Sequence, residues 1–155
     1  MNVYDFLPPD WKERAAEYFT YAVDTFPLAV LGRVTQNITI QNDADFVLVA
    51  ARARVSDPAA VGTTFADPPI NVQVSNTGTQ QLQNQPVPMA TLFAMGTAPG
   101  GASGNSGELP APYVFKAGST LGTTLVSRDA ALTYDVSVTY IGVKFYYYKW
   151  DVASR

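Results

Sequence analysis

The sequence predicts a mainly β protein, an antiparallel β-sandwich with an N-terminal arm and one short α-helix. Three observations lead there. From Pro27 onward the apolar residues recur with a period of two, the spacing of a half-buried strand. Gly, Pro, Asn and Asp punctuate these runs often enough to give about seven or eight short strands, which suits a sandwich or barrel. The long closing stretch YDVSVTYIGVKFYYY, Tyr134 to Tyr148, changes the parity of its apolar residues part-way along.

Residues 1–26 form a region apart from a sandwich domain at 27–155. An arm, MNVYDFLPP, ends at Pro8-Pro9, and Asp10 with Glu13 makes a capping-box-like start. Trp11, Ala15, Tyr18, Phe19 and Ala22 then follow at helical spacing, which predicts the one helix here. Next, Val34, Gln36, Ile38 and Ile40 alternate with Thr35, Asn37, Thr39 and Gln41, a strand that stops at the turn Asn42–Asp45. FVLVAARARV begins apolar on both faces and ends with Arg52 and Arg54 opposite Ala51, Ala53 and Val55, so it is buried at one end and solvated at the other. Ile70, Val72 and Val74 mark another strand, and Tyr113–Phe115, Ser119–Val126 and Thr133–Tyr147 supply the rest.

In the closing stretch Tyr134, Val136, Val138 and Tyr140 share one face. Beyond them Ile141, Val143, Phe145 and Tyr147 become the apolar set, with Gly142 and Lys144 opposite. A one-residue slip of this kind predicts a β-bulge beside Gly142 and a bent strand serving two sheets in turn, a jelly-roll-like device. A straight strand buried on both faces in its second half is the alternative.

Composition limits the chemistry. Ten basic against thirteen acidic residues, a formal net charge of −3, leave no basic footprint for nucleic acid and no polybasic run for an anionic membrane. Histidine is absent, which removes the usual neutral-pH acid/base, the triad base and the commonest transition-metal ligand. Cysteine is absent as well, so disulfides and thiolate metal sites are excluded. No apolar run reaches membrane-spanning length, and the opening residues do not read as a signal peptide; the expectation is a soluble, cytoplasmically made chain.

The sequence therefore predicts no enzyme, no cofactor and no metal. GGASGNSG lacks the Lys and the strand–helix frame of a phosphate loop. Asp43 and Asp45 could hold Ca²⁺ together with turn carbonyls, but a solvated turn explains them more simply. Between Pro68 and Phe115 the only charged residue is Glu108. Asn, Gln and Thr fill the interval, a surface suited to lying against another protein. Residues 76–89 read as anchored and extended, and Gly96–Pro112 as a long loop. The aromatic residues are the candidates for a partner interface: Trp11, Tyr18 and Phe19 near the start, Tyr146, Tyr148 and Trp150 near the end. Packing of the two sets on each other, within or between chains, is the favoured reading.

The second half resembles small structural proteins of tailed bacteriophages. The residues that carry the likeness are Asn76-Thr77-Gly78, Pro86-Val87-Pro88, Leu109-Pro110-Ala111-Pro112, Phe115, Ala117-Gly118-Ser119-Thr120 and Tyr134 with Ile141-Gly142-Val143-Lys144, within residues 68–147. The resemblance implies a jelly-roll-like cement or decoration protein on the capsid exterior. Such a protein would be made in the host cytoplasm and bridge major capsid protein subunits as a homo-oligomer, a dimer ahead of a trimer. Residues 1–26 would be its reaching arm. The alternative is a carbohydrate- or receptor-binding sandwich of a phage spike or fibre, with Tyr146, Tyr148 or Trp150 as a stacking platform.

Overall fold

The computed structural model describes residues 2–76, 80–96 and 107–149. Among these described residues ten strands make two five-stranded sheets. The first sheet runs β1 (Arg14–Leu28), β10 (Tyr134–Lys149), β3 (Ala44–Ser56), with β7 (Ala94–Met95) and β8 (Glu108–Phe115) both pairing with β3. The second runs β2 (Arg33–Thr39), β9 (Thr120–Ser127), β4 (Ile70–Asn76), with β5 (Gln80–Gln81) and β6 (Val87–Pro88) both pairing with β4. All pairings are antiparallel except the short β3–β7 pair. If β5 and β6 count as one interrupted strand and the short parallel β7 is set aside, eight strand positions remain, shared between the sheets in jelly-roll order.

The core lies between the sheets. Phe46, Leu48, Ala51, Ala53 and Val55 of β3 face Ile70, Val72 and Val74 of β4 and Leu121 and Leu125 of β9. Each fully buried large side chain here contributes roughly 1.5–3 kcal/mol. Tyr140 of β10 crosses the gap and shares a buried hydrogen bond with Thr123 of β9. Burial pushes the Tyr140 hydroxyl up, so it stays protonated and able to donate.

Residues 10–26 do not form a helix. A 3₁₀ turn spans Pro9–Glu13 and β1 follows at once, so the expected boundary after residue 26 falls inside a strand. The helical spacing coexists with a period of two, in which Phe19, Tyr21 and Val23 point inward. Aromatic and β-branched residues favour the second, and pairing with β10 from Ala16 to Val23 supplies the ladder. The one α-helix among the described residues is a single turn, α1 (Met89–Leu92), whose Met89 is buried in the core. Of residues 76–89, residue 76 and residues 80–89 are described, and these are anchored as expected, through β5, β6, Leu82 and Met89. The Asn76–Gly78 turn and residues 97–106 of the expected Gly96–Pro112 loop fall mostly outside the described residues, whereas Glu108–Pro112, expected as loop, belong to strand β8, paired with β3.

The parity slip belongs to β3, not to β10. Tyr134, Val136, Val138, Tyr140, Gly142 and Lys144 all lie on the buried face without interruption. Opposite them Ile141 pairs with Ala50 and Gly142 with Leu48, leaving Val49 as the extra residue. In β3 the inward set accordingly moves from Phe46 and Leu48 to Ala51, Ala53 and Val55. β10 looked bent because its inner face carries a glycine and a lysine while its outer face is covered. The cover is the arm: Leu7 and Trp11 pack on Val47 and Phe145 in a second, smaller core, with the Trp11 and Phe145 rings 5.3 Å apart. Gly142 has its own reason, since a Cβ there would lie 2.2 Å from the Val47 carbonyl oxygen.

Candidate functional site

The register sorts the loops into two ends. Leu28, Arg33, Ser56, Ile70, Ser127 and Tyr134 are level with one another, so the connections 29–32, 57–69 and 128–133 cluster at one end. The arm, the β2–β3 turn and the β8–β9 turn lie at the other.

At the arm end a buried carboxylate does the tying. Asp45 accepts hydrogen bonds from Arg14 at 3.1 Å, Lys116 at 3.2 Å, the Ala117 backbone N–H at 3.0 Å and the Tyr147 hydroxyl at 2.7 Å. Burial alone would raise its pKa, but the bonds from Tyr147, Ala117 and Lys116 outweigh that and hold it below the usual carboxylate range. Arg14 and Lys116 also sit 4.4 and 4.7 Å from the Trp11 ring centre, which fixes the arm through cation–π contact. Asp43 points elsewhere, 4.0 Å from the Lys144 ammonium. The two carboxylates read as a Ca²⁺ pair in the sequence thus answer to different cations of the chain itself.

Lys144 is the residue that sequence reasoning misplaced. It is 1% exposed, on the inner face, with its ammonium bonded to the Gln41 side-chain oxygen and 3.8 Å from the Phe19 ring centre. Its residue type argues against burial; strict alternation continued past Gly142 is the one signal in the sequence.

The six aromatic candidates separate. Trp11 is 3% exposed and committed to the chain's own second core, and Phe19 packs on the main core beside Tyr21. Tyr146 is half-buried and donates to the Glu17 carboxylate. Tyr18, 86% exposed, projects into solvent from β1. The Tyr148 side chain and Trp150 lie outside the described residues. Trp11 does pack on a ring of β10 within one chain, but that ring is Phe145, a member of neither set.

The loop end is organised by Asp129. Its backbone carbonyl accepts from the Leu31 N–H, and its side chain accepts from the N–H groups of Ala131 and Leu132 and from the Tyr134 hydroxyl. Those bonds, the one from Tyr134 foremost, lower its pKa. Burial, then the bond to Asp129, pushes the Tyr134 hydroxyl up to about 12. Phe65 of the third loop closes the set edge-on against the Tyr134 ring, at 5.3 Å. On this braced base stand Val30, Leu31, Val61 and Leu132, all exposed, with Leu31 at 64% and Val61 fully open. Four apolar side chains from three loops thus face outward at one end of the sandwich. Sequence reasoning missed them because loop apolars have no period to reveal them.

An apolar groove of about 410 Å³ opens on the side away from β1, lined by Leu82, Gln83, Leu92, Leu109, Pro110, Ala111 and Tyr113. The outer face of the second sheet carries rows of uncharged polar residues, Thr35–Thr124–Gln73 and Asn37–Gly122–Ser75.

No family model matches the chain, and no curated protein matches it. Among solved structures, an exo-β-1,3-galactanase from Phanerochaete chrysosporium with galactose aligns over 84% of this chain and 27% of its own, at 14% identity and a TM-score of 0.30. The chain therefore spans about a quarter of that enzyme's length, and so low a score carries no argument about activity.

Proposed function

We propose that the chain is a non-enzymatic virion structural protein that binds the outside of a tailed-phage capsid and stabilises it by bridging major capsid protein subunits. The observation that carries this reading is the apolar loop end: Val30, Leu31, Val61 and Leu132 exposed on a base braced by Asp129. Exposed apolar groups on pre-ordered loops lose little entropy on docking, which is what a permanent clamp needs. Further support comes from the ionisable groups. Asp45, Asp129 and Lys144 each serve internal packing rather than converging on a cleft. The arm takes a different part from the one the resemblance implies, since Trp11 secures the chain's own outer face; the loop end is the docking surface.

The test is binding to purified capsids by co-sedimentation. The triple variant Val30→Ser, Leu31→Ser, Val61→Ser should bind at least about tenfold more weakly, with the fold intact by circular dichroism. Undiminished binding would sink the reading. The alternative, a carbohydrate- or receptor-binding module, is favoured by the uncharged polar rows of the second sheet. It predicts instead that Gln73→Ala with Asn37→Ala weakens binding to cell-surface glycans while capsid binding is absent.

A further inference from the structure

The sandwich has four sheet edges, and three are protected. β8 carries Pro110 and Pro112, β5 and β6 are broken into two-residue pieces beside Pro86 and Pro88, and β2 is a short strand with a mostly exposed polar sequence. Proline and brevity are the ordinary means of blunting an edge. β1 has neither. It is fifteen residues long, its proline comes only at position 27, and among the described residues no strand pairs with its outer side. Its register irregularities fall between Arg14 and Ala16 and between Val23 and Phe26, leaving Ala16–Val23 as an uninterrupted ribbon. That ribbon, AEYFTYAV, holds one charge, Glu17, and presents Tyr18 almost wholly to solvent.

We propose that β1 is the dimerisation edge, pairing antiparallel with β1 of a second copy to make one continuous sheet across the two molecules. A two-fold axis brings identical strands together antiparallel, so the edge is its own complement. Centred on Tyr18, Phe19 or Thr20, the pairing sets Glu17 against Phe19, Tyr21 or Val23 of the other copy and never against its own carboxylate. Tyr18 then covers the seam, facing itself, Thr20 or Ala22. Eight residues span about 27 Å and the full strand about 50 Å. Across a sandwich side roughly 20 Å deep this gives about 500–1,000 Å² per copy, bracketing the ~800 Å² of a standard interface. A foreign strand would want flanking pockets for specificity. The apolar groove lies instead at the far side, beside β8. The dimer is independent of the capsid reading, since it forms in free protein.

The chain has no cysteine, which makes the register directly readable. Single cysteines at each position from 17 to 22 are oxidised in free protein, and interchain disulfides are scored. Only a residue at the axis comes within the ~4.4–6.8 Å Cα separation a disulfide allows, so one position should cross-link strongly and the others weakly. In parallel, sedimentation equilibrium between about 1 and 100 μM should show twice the chain mass. Tyr18→Lys with Thr20→Lys, two exposed substitutions, should raise the dimer dissociation constant at least about tenfold with circular dichroism unchanged. A monomer throughout, or a dimer with no cross-linking maximum along 17–22, overturns the proposal.

Discussion

Replacing Gly142 by alanine tests the packing logic of the whole first sheet. The added Cβ would sit 2.2 Å from the Val47 carbonyl oxygen and 2.7 Å from two carbons of the Phe46 ring, where ordinary contact begins at 3.4 Å. Neither neighbour can retreat. Val47 is backbone in the central strand, and the Phe46 ring is fully buried and held edge-on by Tyr21 at 4.9 Å. Relief requires β3 and β10 to part by about 1 Å, weakening their ladder on both sides of the Val49 bulge. Overpacking of this kind costs about 2–4 kcal/mol, which for a chain of this size lowers Tm by roughly 5–15 °C. Urea unfolding followed by tryptophan fluorescence measures it. Gly96→Ala is the control, because its Cβ would find only ordinary contacts at 3.6 and 3.7 Å. That variant should stay within about 0.5 kcal/mol of the parent. A G142A chain that also loses less than about 0.5 kcal/mol would refute the placement of Gly142 on the inner face.

Other outcomes follow from the two ends and the core. Asp45→Asn should cost about 1.5–3 kcal/mol by urea unfolding, kept from being larger because Lys116 and, in part, Arg14 can return to water. Because the folded-state pKa of Asp45 is lowered, its stabilisation is complete above the unfolded value near 3.8 and is lost as pH falls through the folded one. Stability measured from pH 5 downward should therefore fall more shallowly in D45N than in the parent; Asp129, shifted in the same direction, keeps the slope from vanishing. Lys144→Met should be neutral or stabilising by about 1 kcal/mol, since its partners Gln41 and Asp43 are exposed enough to rehydrate. Lys144→Ala should instead cost about 2–4 kcal/mol through the cavity it leaves, and equal losses for both would show that the charge, not the volume, matters.

Much of the architecture is legible in the sequence because a half-buried strand writes its two faces directly as alternation. Ile70, Val72 and Val74, or Ala51, Ala53 and Val55, need no tertiary information. β1 resists that reading because its small and aromatic residues satisfy two periods at once. What selects the strand is β10, more than a hundred residues away. The bulge was legible, but in FVLVAARARV, where the inward set changes parity between Leu48 and Ala51; attention to β10 misplaced it. Lys144 could be assigned to the interior only by trusting geometry over hydropathy. Of the site, the aromatic residues drew notice because rings are conspicuous, yet Trp11 and Phe19 turned out to serve the chain's own packing. Val30, Leu31, Val61 and Leu132 carry no signal beyond being apolar in loops, and their convergence exists only once the register is known.

The place of β10 beside β1 and β3 also sets a clock. β1 is complete at residue 28, and its partner does not begin until residue 134. At about 5–20 residues per second a ribosome needs roughly 5–20 s to make the intervening chain. Throughout that interval β1 has neither of its edges paired, and the central position of the first sheet is empty. The nascent chain therefore cannot complete its first sheet before Tyr134–Lys149 has been made, and AEYFTYAV is for those seconds an exposed β-prone segment with a single charge. A chain released before Tyr134 should stay unfolded and be captured by holdase chaperones, whereas one extended past Lys149 should escape them.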